Sequence, residues 1–482
     1  MNSFVIIFWV VLNLLLLLYI LQEFILAVSA IKSKVDAKPA GQKSYPFVTI
    51  QLPLFNEPFV VERLLKSCAN IDYPADKLEI QILDDSIDET PQIIESYLKE
   101  YNGKITFSHV RRTNRIGFKA GALDYGLKES IGQFVAIFDA DFVPHPDFLL
   151  QTIPHFQNKE VGVVQTRWGH INENDSLLTR AQAIMLNTHF SVEQLGRTAQ
   201  NACINFNGTA GVWRKECIED AGGWQADTLT EDLDLSYRAQ LKGWRFQYLF
   251  DVISPAELPS SFGAYRTQQF RWSKGAAECL KKNLKGILDS GLNLKKKFFG
   301  VFHLLNSSLY LLVFLLLLIS PIVYSIQLNN QVLADRFSYL FPIGTVVMAM
   351  LIIVFSIGHF MKQKMTANKV LWFLPSLITF FGMTTGISVY MAKGVLEGFR
   401  GQKSEFIRTP KYGTSSQVKR EKRRQRLSLV MLFEVLFFLY GGFTIYRGIA
   451  QYNLLVILYG LILLMGFALT LFFSNWNWKW KR

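Results

Sequence analysis

Hydrophobic positions along the chain follow two patterns, and these separate two kinds of region. An unbroken apolar run covers residues 5–28 and is long enough to cross a hydrocarbon core of ~30 Å as one helix. From Phe47 to about Gly243, short β-rich runs alternate with helical periods instead. This alternation is typical of an α/β domain with a parallel sheet and crossover helices, in which ligands bind at the carboxyl ends of the strands.

The α/β region is predicted to contain four strands connected by helices. The strands are expected at residues 47–54, 78–84, 104–110 and 133–138, and helices begin near Glu57, Glu89 and Lys119. A later amphipathic helix is predicted to run to about Leu241, with Thr230 as its capping residue.

Long apolar runs return after Trp272 and predict further membrane segments. They cover residues 302–326, 338–360, 370–392, 427–446 and 453–474, which makes six with the first run. Three full crossings before the loop at 393–426 would put that loop outside the cytosol, so one segment is expected not to cross simply. The run at 370–392 contains Pro375, Gly382 and Gly386 and is predicted to be a broken or re-entrant pair of half-helices.

These patterns divide the chain into three parts. We expect an N-terminal transmembrane helix at 1–30 and a cytosolic domain at 45–285. The part at 286–482 is expected to hold interfacial helices, among them the amphipathic stretches at 294–299 and 394–399, and about five membrane segments. The predicted fold class is therefore an α/β cytosolic domain combined with an all-α transmembrane region.

The distribution of charge supports this orientation. No Lys or Arg precedes the first apolar run, whereas Lys32 and Lys34 follow it, so the positive-inside rule places the following residues in the cytosol. Much of the net charge of +13 lies at 393–426, which carries eleven Lys and Arg against three Asp and Glu. Since this basic stretch lies between membrane segments, a juxtamembrane anchor on the bilayer explains it, and nucleic-acid binding is not expected.

Composition agrees with a membrane protein. Half of the residues (50%) are hydrophobic and 14% are aromatic, which is more apolar material than the core of one soluble domain needs. The four cysteines show no spacing typical of a metal site and are expected to be reduced structural thiols. They are Cys68, Cys203, Cys217 and Cys279.

Acidic side chains follow two of the predicted strands. Asp84 and Asp85 end the second strand, and Asp139 and Asp141 follow the fourth, so both pairs project from one edge of the sheet. A divalent cation would relieve the repulsion between these acids, and their hard oxygen ligands favour Mg²⁺ or Mn²⁺. Either pair alone is also explained by turns and helix caps.

Two further groups of residues complete the candidate site. Glu231 and Asp232 open the helix that follows Thr230, where a capping box is the simpler explanation. The segment from Gln268 to Trp272 brings together an amide, the cation Arg271 and a large aromatic ring, which a membrane-interface belt would also explain.

The order of these motifs favours function over the simpler explanations. Asp-Asp, Asp-x-Asp, Thr-Glu-Asp and Gln-x-x-Arg-Trp follow one another in an α/β region bracketed by apolar segments. With them the chain resembles glycosyltransferase family 2, and within it the cellulose-synthase-like group whose plant members make mannan and glucan backbones. The resemblance runs from about Phe47 to Lys411 and includes the stretches at 165–168, 207–211 and 222–224. It implies a GT-A type, Rossmann-like cytosolic domain.

The resemblance also implies a role for each motif residue. The nucleotide would be held by Asn56, Glu57, Asp85 and Lys119, and the diphosphate by Gln268 and Arg271. Asp139 and Asp141 would bind the divalent cation, Mg or Mn. Asp232 would be the general base, with Glu231 beside it in the catalytic motif, and Trp272 would stack on the acceptor sugar at the mouth of a translocation channel.

Physical chemistry supports these roles. Transfer from a diphosphate builds negative charge on the leaving group, which a cation and Arg271 would stabilise. An acceptor hydroxyl needs a carboxylate base such as Asp232. A single base without a nucleophile implies inversion, so an α-linked donor would give a β-linked product. A segment at 406–411 resembles the gating loop of cellulose synthases, although a solvated basic linker would look the same.

The expected function is therefore a membrane-bound, inverting hexosyltransferase that elongates a β-glucan or β-mannan and translocates it. Its partners would be a UDP- or GDP-hexose donor, the growing polysaccharide, the lipid bilayer and accessory proteins for export. We expect a multi-pass protein of the plasma or inner membrane, if bacterial, with its catalytic domain in the cytosol. The alternatives are a transferase that adds one sugar to a lipid and, from another class, a transporter or receptor with a sensor domain. The donor and the linkage stay open.

Overall fold

A computed structural model describes most of the chain. The described residues are 2–33, 44–328, 341–361, 365–404, 407–409, 411, 413, 419–423, 428–474 and 477–481.

The first part of the chain consists of one long apolar helix followed by an α/β domain. Its strands are β1 (Val48–Leu54), β2 (Leu78–Asp84), β3 (Thr106–Val110), β4 (Phe134–Ile137), β5 (Val161–His170), β6 (Gly211–Arg214) and β7 (Arg245–Ala256). Its helices are α1 (Asn2–Lys32), α2 (Val61–Ala69), α3 (Thr90–Glu100), α4 (Phe118–Glu129), α5 (Phe148–Thr152), α6 (Leu177–Thr188), α7 (Leu195–Ala199), α8 (Lys215–Asp220), α9 (Glu231–Leu241) and α10 (Phe262–Asp289). A π-helical turn, His189–Gln194, joins α6 to α7.

Apolar helices dominate the remainder. They are α11 (Leu294–Leu305), α12 (Leu309–Leu328), α13 (Phe341–Phe360), α14 (Ala367–Arg400), α15 (Leu429–Ala450) and α16 (Leu454–Ser474). Two short strands, β8 (Lys419–Arg423) and β9 (Asn477–Lys481), pair antiparallel with each other.

The seven strands of the α/β domain form one mixed sheet in the order β3-β2-β1-β4-β6-β5-β7. The four strands predicted from sequence are present, and their pairings are parallel. The prediction of a parallel sheet is wrong beyond them, because β6 runs antiparallel to both β4 and β5. The parallel strands nevertheless bring the carboxyl ends of β1, β2 and β4 to one edge, where the acidic motifs lie.

Helices cover the sheet on both faces. Alternate residues of β1, such as Ile50 and Leu52, are fully buried in a core that α2 completes with Leu64. On the other face Ile137 of β4 packs in a second core with Trp213. Because both faces are buried, the strands read as nearly continuous apolar runs.

The helix α9 is positioned by close packing on α10. A side chain at Gly275 would meet the Thr230 side chain at 2.6 Å, so the glycine permits the two helices to touch. Thr230 does occupy the N-cap position, but its hydroxyl makes no capping bond, and the predicted capping role is therefore wrong. Its Oγ1 lies 3.4 Å from Cys279 Sγ instead. Packing between the helices thus determines where Glu231 and Asp232 lie.

Four helices among the described residues are long and apolar enough to cross a membrane. They are Ser3–Lys32, Leu294–Ile326, Ala367–Arg400 and Leu429–Ala450. Their length and apolar composition are those of membrane-spanning helices.

The segment at 367–400 corrects one prediction. Instead of a broken pair of half-helices, α14 is a single helix of 34 residues with Pro375 inside it. Both of its ends contact the α/β domain. Near its start, the Arg180 guanidinium lies 5.2 Å from the ring of Trp372, and near its end Gly398 packs against the backbone of Lys274. The stretch at 394–399, expected to be a separate interfacial helix, is the last part of α14.

Candidate active site

A cavity of about 180 Å³ opens at the carboxyl ends of β1, β2 and β4. Ten of the eleven residues that the sequence singles out line it, although they come from distant parts of the chain. They are Glu57, Asp85, Lys119, Asp139, Asp141, Glu231, Asp232, Gln268, Arg271 and Trp272. The eleventh, Asn56, holds the adjacent turn: it adopts a left-handed conformation (φ 57°), and its Oδ1 accepts a hydrogen bond from Ile87 N at 2.9 Å.

Asp139 lies in the centre of the site, where Lys119 of α4 binds it. Lys119 Nζ donates to Asp139 Oδ1 at 2.6 Å and to the carbonyl of Gly208 at 2.9 Å. Burial would lower the pKa of Lys119, but the charges of Asp139 and Glu231 raise it. The lysine therefore stays charged beside the acids.

Asp141 is more deeply buried, and its side chain points to the loop after α14. Lys411 Nζ donates to Asp141 Oδ2 at 2.6 Å. Burial raises the pKa of Asp141 although Lys411 opposes the shift. Its Oδ1 is buried without a hydrogen-bond partner among the described residues. An unpaired buried carboxylate oxygen is costly, so this atom is suited to a cationic ligand.

The same loop closes over Glu57. Arg408 Nε donates to Glu57 Oε1 at 2.9 Å, and the guanidinium also contacts the Asn56 carbonyl. Burial raises the pKa of Glu57 to about 8, against the opposing charges of Arg408 and Lys411. Two residues of the segment at 406–411 that resembles a gating loop, Phe406 and Pro410, lie outside the described residues.

The two acids at the end of β2 differ in their surroundings. Asp84 is a structural residue: it accepts from Ser86 N at 2.8 Å and lies 3.0 Å from His109 Nε2. Burial would raise the pKa of Asp84, but the hydrogen bonds of His109 and Ser86 lower it. Asp85 faces the cavity and is held by both ends of the Arg112 guanidinium, with Arg112 Nε at 3.0 Å from Oδ1. The Arg112 guanidinium compensates the charge of Asp85.

Glu231 and Asp232 stand in the first turn of α9, where the helix dipole favours negative charge. Burial and the neighbouring charge of Glu231 raise the pKa of Asp232 to about 7, against the charge of Lys119. Gly208, with φ +80°, lies directly beside it, and a side chain there would come within 2.9 Å of Asp232 Oδ2. The glycine therefore leaves room at the carboxylate for a second molecule.

The helix α10 supplies the opposite wall. Gln268, Arg271 and Trp272 all line the cavity. Burial lowers the pKa of Arg271, and the charges of Glu231, Asp139 and Asp232 oppose that shift. The Trp272 indole packs beside a small cluster that includes Leu258. A fixed cation and a flat apolar ring therefore face the acidic residues across the cavity.

Sequence reasoning missed the basic residues that follow β3. Arg112 binds Asp85, and the Arg115 guanidinium lies 3.3 Å from the ring centroid of Phe55, which also lines the cavity. The signal was present, because residues after a parallel strand project from the same edge as the acids.

The four cysteines agree with the interpretation as reduced thiols. All are free and buried. Burial raises the pKa of Cys203 to about 11 and that of the other three further.

A divalent cation fits the residues present. Among the described residues no group of three or more His, Cys, Asp or Glu is arranged to hold a metal ion. A cation here would therefore take ligands from Asp139 and Asp141 and its remaining oxygens from a second molecule such as a diphosphate, a mode typical of Mg²⁺. The unpaired Oδ1 of Asp141 supports this fit.

Comparison with known proteins agrees with this geometry. Residues 46–275 match the family described as glycosyltransferase like family 2. A probable glucomannan 4-beta-mannosyltransferase 3 of Oryza sativa subsp. japonica is 37% identical over 388 residues, covering 79% of this chain and 68% of the relative. Glucomannan 4-beta-mannosyltransferase 2 of Arabidopsis thaliana is 44% identical over 259 residues, covering 52% of this chain and 48% of the relative. With the latter, and with probable glucomannan 4-beta-mannosyltransferase 11 of rice (46%), the chain spans about half of the relative's length.

Among solved structures, a mannosyltransferase from Pyrobaculum calidifontis in complex with GDP-Man and Mn²⁺ is similar in fold. The TM-score is 0.52 at 21% identity, with 77% of this chain and 99% of the other covered. The likeness confirms the expected GT-A type α/β fold.

Proposed function

The chain belongs to glycosyltransferase family 2, in its cellulose-synthase-like group, and on that premise we propose that it adds hexose units from a nucleoside-diphosphate hexose to a growing β-linked polysaccharide. We propose mannose as the hexose, because the relatives are named glucomannan 4-beta-mannosyltransferases. The product would then be a β-mannan or glucomannan.

The observation that carries this proposal is the single cavity at the sheet edge. It brings a carboxylate with a raised pKa, two acids suited to a cation, the guanidinium of Arg271 and the indole of Trp272 to one place. Transfer from a nucleotide sugar needs each of these groups: a base, a cation for the leaving diphosphate and an aromatic platform for the acceptor.

Donor binding would use the end of the cavity at β1 and β2. Asp85, fixed by Arg112, faces that end and can accept hydrogen bonds from the base or ribose. Asn56 and Glu57 form the adjacent turn, and Lys119 can approach a phosphate while it remains charged. When bound, Mg²⁺ or Mn²⁺ on Asp139 and Asp141 would neutralise charge on the leaving diphosphate.

Asp232 would accept the proton of the attacking hydroxyl. Its pKa near 7 suits a base that works near neutral pH, because a base is most efficient when its pKa lies close to the working pH. Arg271, buried beside Glu231, Asp139 and Asp232, would hold the departing diphosphate together with Gln268. With a single base and no nucleophile, the hydroxyl attacks the anomeric carbon from the side opposite the diphosphate. An α-linked donor therefore yields a β-linked product.

The acceptor would lie against Trp272. An indole contacts the C–H face of a sugar ring without demanding particular hydroxyl groups, so a polymer can move forward by one unit after each addition. We propose that the polymer leaves along the membrane helices beyond this residue.

The segment at 407–411 would act as a closing loop. In this structure Arg408 binds Glu57 and Lys411 binds Asp141, so two cations of the loop occupy acids that face the donor site. Binding of the donor and the metal would require the Lys411 side chain to move away from Asp141. This geometry supports the gating role that the resemblance implied.

The contacts between helix ends and the α/β domain support a proposal for the membrane topology. We propose that α1, α12, α13, α15 and α16 cross the bilayer and that α14 does not cross simply, because both of its ends contact the domain. The basic loop then stays on the catalytic side, which we propose is the cytosol. This arrangement resolves the parity conflict noted in the sequence.

A donor assay tests the proposal. The purified chain in nanodiscs would receive Mg²⁺ or Mn²⁺ with radiolabelled GDP-mannose or UDP-glucose, and label in ethanol-insoluble material would be measured with and without β-mannanase. We expect mannanase-sensitive label from GDP-mannose. Glucanase-sensitive label from UDP-glucose alone would make the hexose glucose, and no label from either donor would contradict a glycan synthase.

A further inference from the structure

A second cavity lies on the opposite face of α10 from the candidate active site. It encloses about 780 Å³ and is lined by residues of α10, α12, α14 and α15. Arg266 lines this second cavity, whereas Gln268 and Trp272 of the same helix line the first. The two cavities have no lining residue in common, so they are separate sites.

One part of the second cavity is cationic. Its lining contains three basic residues, Arg266, Lys393 and Arg400, and one acidic residue, Glu397. The Arg266 guanidinium is paired with Glu434, with 3.1 Å between Arg266 Nη2 and Glu434 Oε1. The other two basic residues of the lining, Lys393 and Arg400, lie beside the single carboxylate of Glu397 in that lining. Lys393 Nζ lies 3.7 Å from Glu397 Oε1, and the lysine side chain is 54% exposed. The wall therefore carries a surplus of positive charge that is accessible.

Lys274, at the rear of this wall, strengthens the surplus. It is fully buried, and its Nζ lies 3.3 Å from Glu397 Oε2. Glu397 thus divides its charge between two lysines. Among the described residues that line the cavity, no second acid faces Arg400.

The other part of the cavity is apolar and opens to the outer surface of the helices. Phe314 of α12, Val389 of α14 and Phe433 of α15 form its wall. Leu429 lies at the rim and is 69% exposed, and Leu436, two turns further along α15, is exposed on the same side. This surface belongs to a helix long and apolar enough to span a membrane, so acyl chains are its natural contact.

We propose that this cavity binds one anionic phospholipid. Its phosphate would lie between Lys393 and Arg400, and its acyl chains would extend past Phe314 and Phe433 along the outer face of α15. A charge surplus next to an apolar wall, at the helix ends nearest the catalytic domain, matches the headgroup depth of a bilayer leaflet. A soluble phosphate would leave the apolar wall uncovered, and a zwitterionic lipid would not use the surplus charge.

The proposed lipid site contacts α10, the helix that also lines the candidate active site. Tyr390 of the cavity wall packs against Phe270, with ring centroids 4.6 Å apart and the rings tilted by 31°. The Arg266 guanidinium lies 4.2 Å from the centroid of the Tyr390 ring. Phe270 lies between Gln268 and Trp272 in α10. A bound lipid would thus hold the helix that carries the arginine and indole of the first cavity, although the binding proposal does not depend on the enzymatic one.

Lipid binding can be measured without any assay of transfer. The full chain in detergent would be titrated with fluorescent phosphatidylglycerol, and competed with unlabelled phosphatidylglycerol, phosphatidylcholine or inorganic phosphate. We expect displacement by phosphatidylglycerol and little by the other two. In the variant Lys393→Gln/Arg400→Gln we expect roughly 20- to 30-fold weaker binding, since each basic residue near an anionic lipid contributes on the order of fivefold.

A matched pair of exposed lysines controls for charge. Lys285→Gln/Lys295→Gln removes two cations from α10 and α11 that do not line the cavity, and should bind like the unaltered chain. Val430→Trp, which fills the apolar wall while all charges stay, should also weaken binding. Equal binding by the Lys393→Gln/Arg400→Gln variant and its control would overturn the proposal. Efficient displacement by inorganic phosphate would overturn the assignment to a lipid.

Discussion

At the scale of single residues, the site depends on carboxylates whose protonation is set by their neighbours. Asp232 is partly buried beside Glu231, and burial together with the charge of Glu231 raises its pKa to about 7. We expect Asp232→Asn to reduce transfer by about 10²- to 10⁴-fold, the usual contribution of a general base. Donor affinity, measured by nucleotide binding, should change little. The control Asp124→Asn alters a partly exposed acid paired with Lys128 and should leave the transfer rate intact. If the transfer rate fell no further in Asp232→Asn than in this control, Asp232 would not be the general base.

The same pKa predicts the pH dependence of the reaction. A base must be deprotonated, so kcat/KM should fall about tenfold per pH unit below a midpoint near 7 and level off above it. Glu57 has a raised pKa as well, near 8. The variant Glu57→Gln should lose activity but keep the midpoint near 7. Were the midpoint to disappear in that variant, Glu57 rather than Asp232 would be the group that titrates.

We propose that Lys411 competes with a metal ion for Asp141. Its ammonium lies 2.6 Å from Oδ2, so a cation bound by that carboxylate must work against the lysine charge. We expect Lys411→Gln to tighten Mn²⁺ binding roughly two- to tenfold, followed by electron paramagnetic resonance without donor. Lys403→Gln, an exposed change in the same basic stretch, is the control. Unchanged Mn²⁺ affinity in Lys411→Gln would argue that Asp141 is not a ligand.

At the scale of elements, glycines determine how the membrane helices approach one another. A side chain at Gly386 of α14 would lie 2.2 Å from the Gly466 carbonyl of α16, and one at Gly466 would lie 2.3 Å from the Gly382 carbonyl. Gly386→Ala should therefore destabilise the helix pair by about 1–3 kcal/mol and lower the thermal midpoint in detergent. At Gly442 of α15 the nearest atom is 3.8 Å away, so Gly442→Ala should be neutral. Equal midpoints for the two variants would contradict the close packing of α14 on α16.

Sequence pattern predicted the local elements well and their assembly less well. The sequence pattern located β1 to β4 and the start of α9 within a few residues. Apolar residues dominate β1, β2 and β4, which are almost entirely buried. The strands β5, β6 and β7 were missed. The antiparallel direction of β6 depends on its pairing with β4 and β5, which are distant from it in the chain. Pro375 led to the prediction of a broken α14, yet the helix continues because neighbouring helices pack on it.

At the scale of the whole molecule, the order of the motifs along the chain indicated the function more clearly than the composition did. Spacing could identify the acids, Arg271 and Trp272, and folding brings them to one cavity. The partners that tune them, such as Arg112 on Asp85 and Lys411 on Asp141, come from separate segments, and sequence does not pair them. The second cavity could not be predicted from the sequence either, because it forms where four helices meet in the folded protein.

Product length at low conversion tests the central claim most directly. The purified chain in nanodiscs would be given radiolabelled GDP-mannose and Mn²⁺ until a small fraction of donor is used, and the products would be sized before and after β-mannanase. Our account predicts long, mannanase-sensitive chains from the earliest times, and none with Asp232→Asn. A chloroform-soluble product with one sugar on a lipid would contradict polymer synthesis and the acceptor role of Trp272.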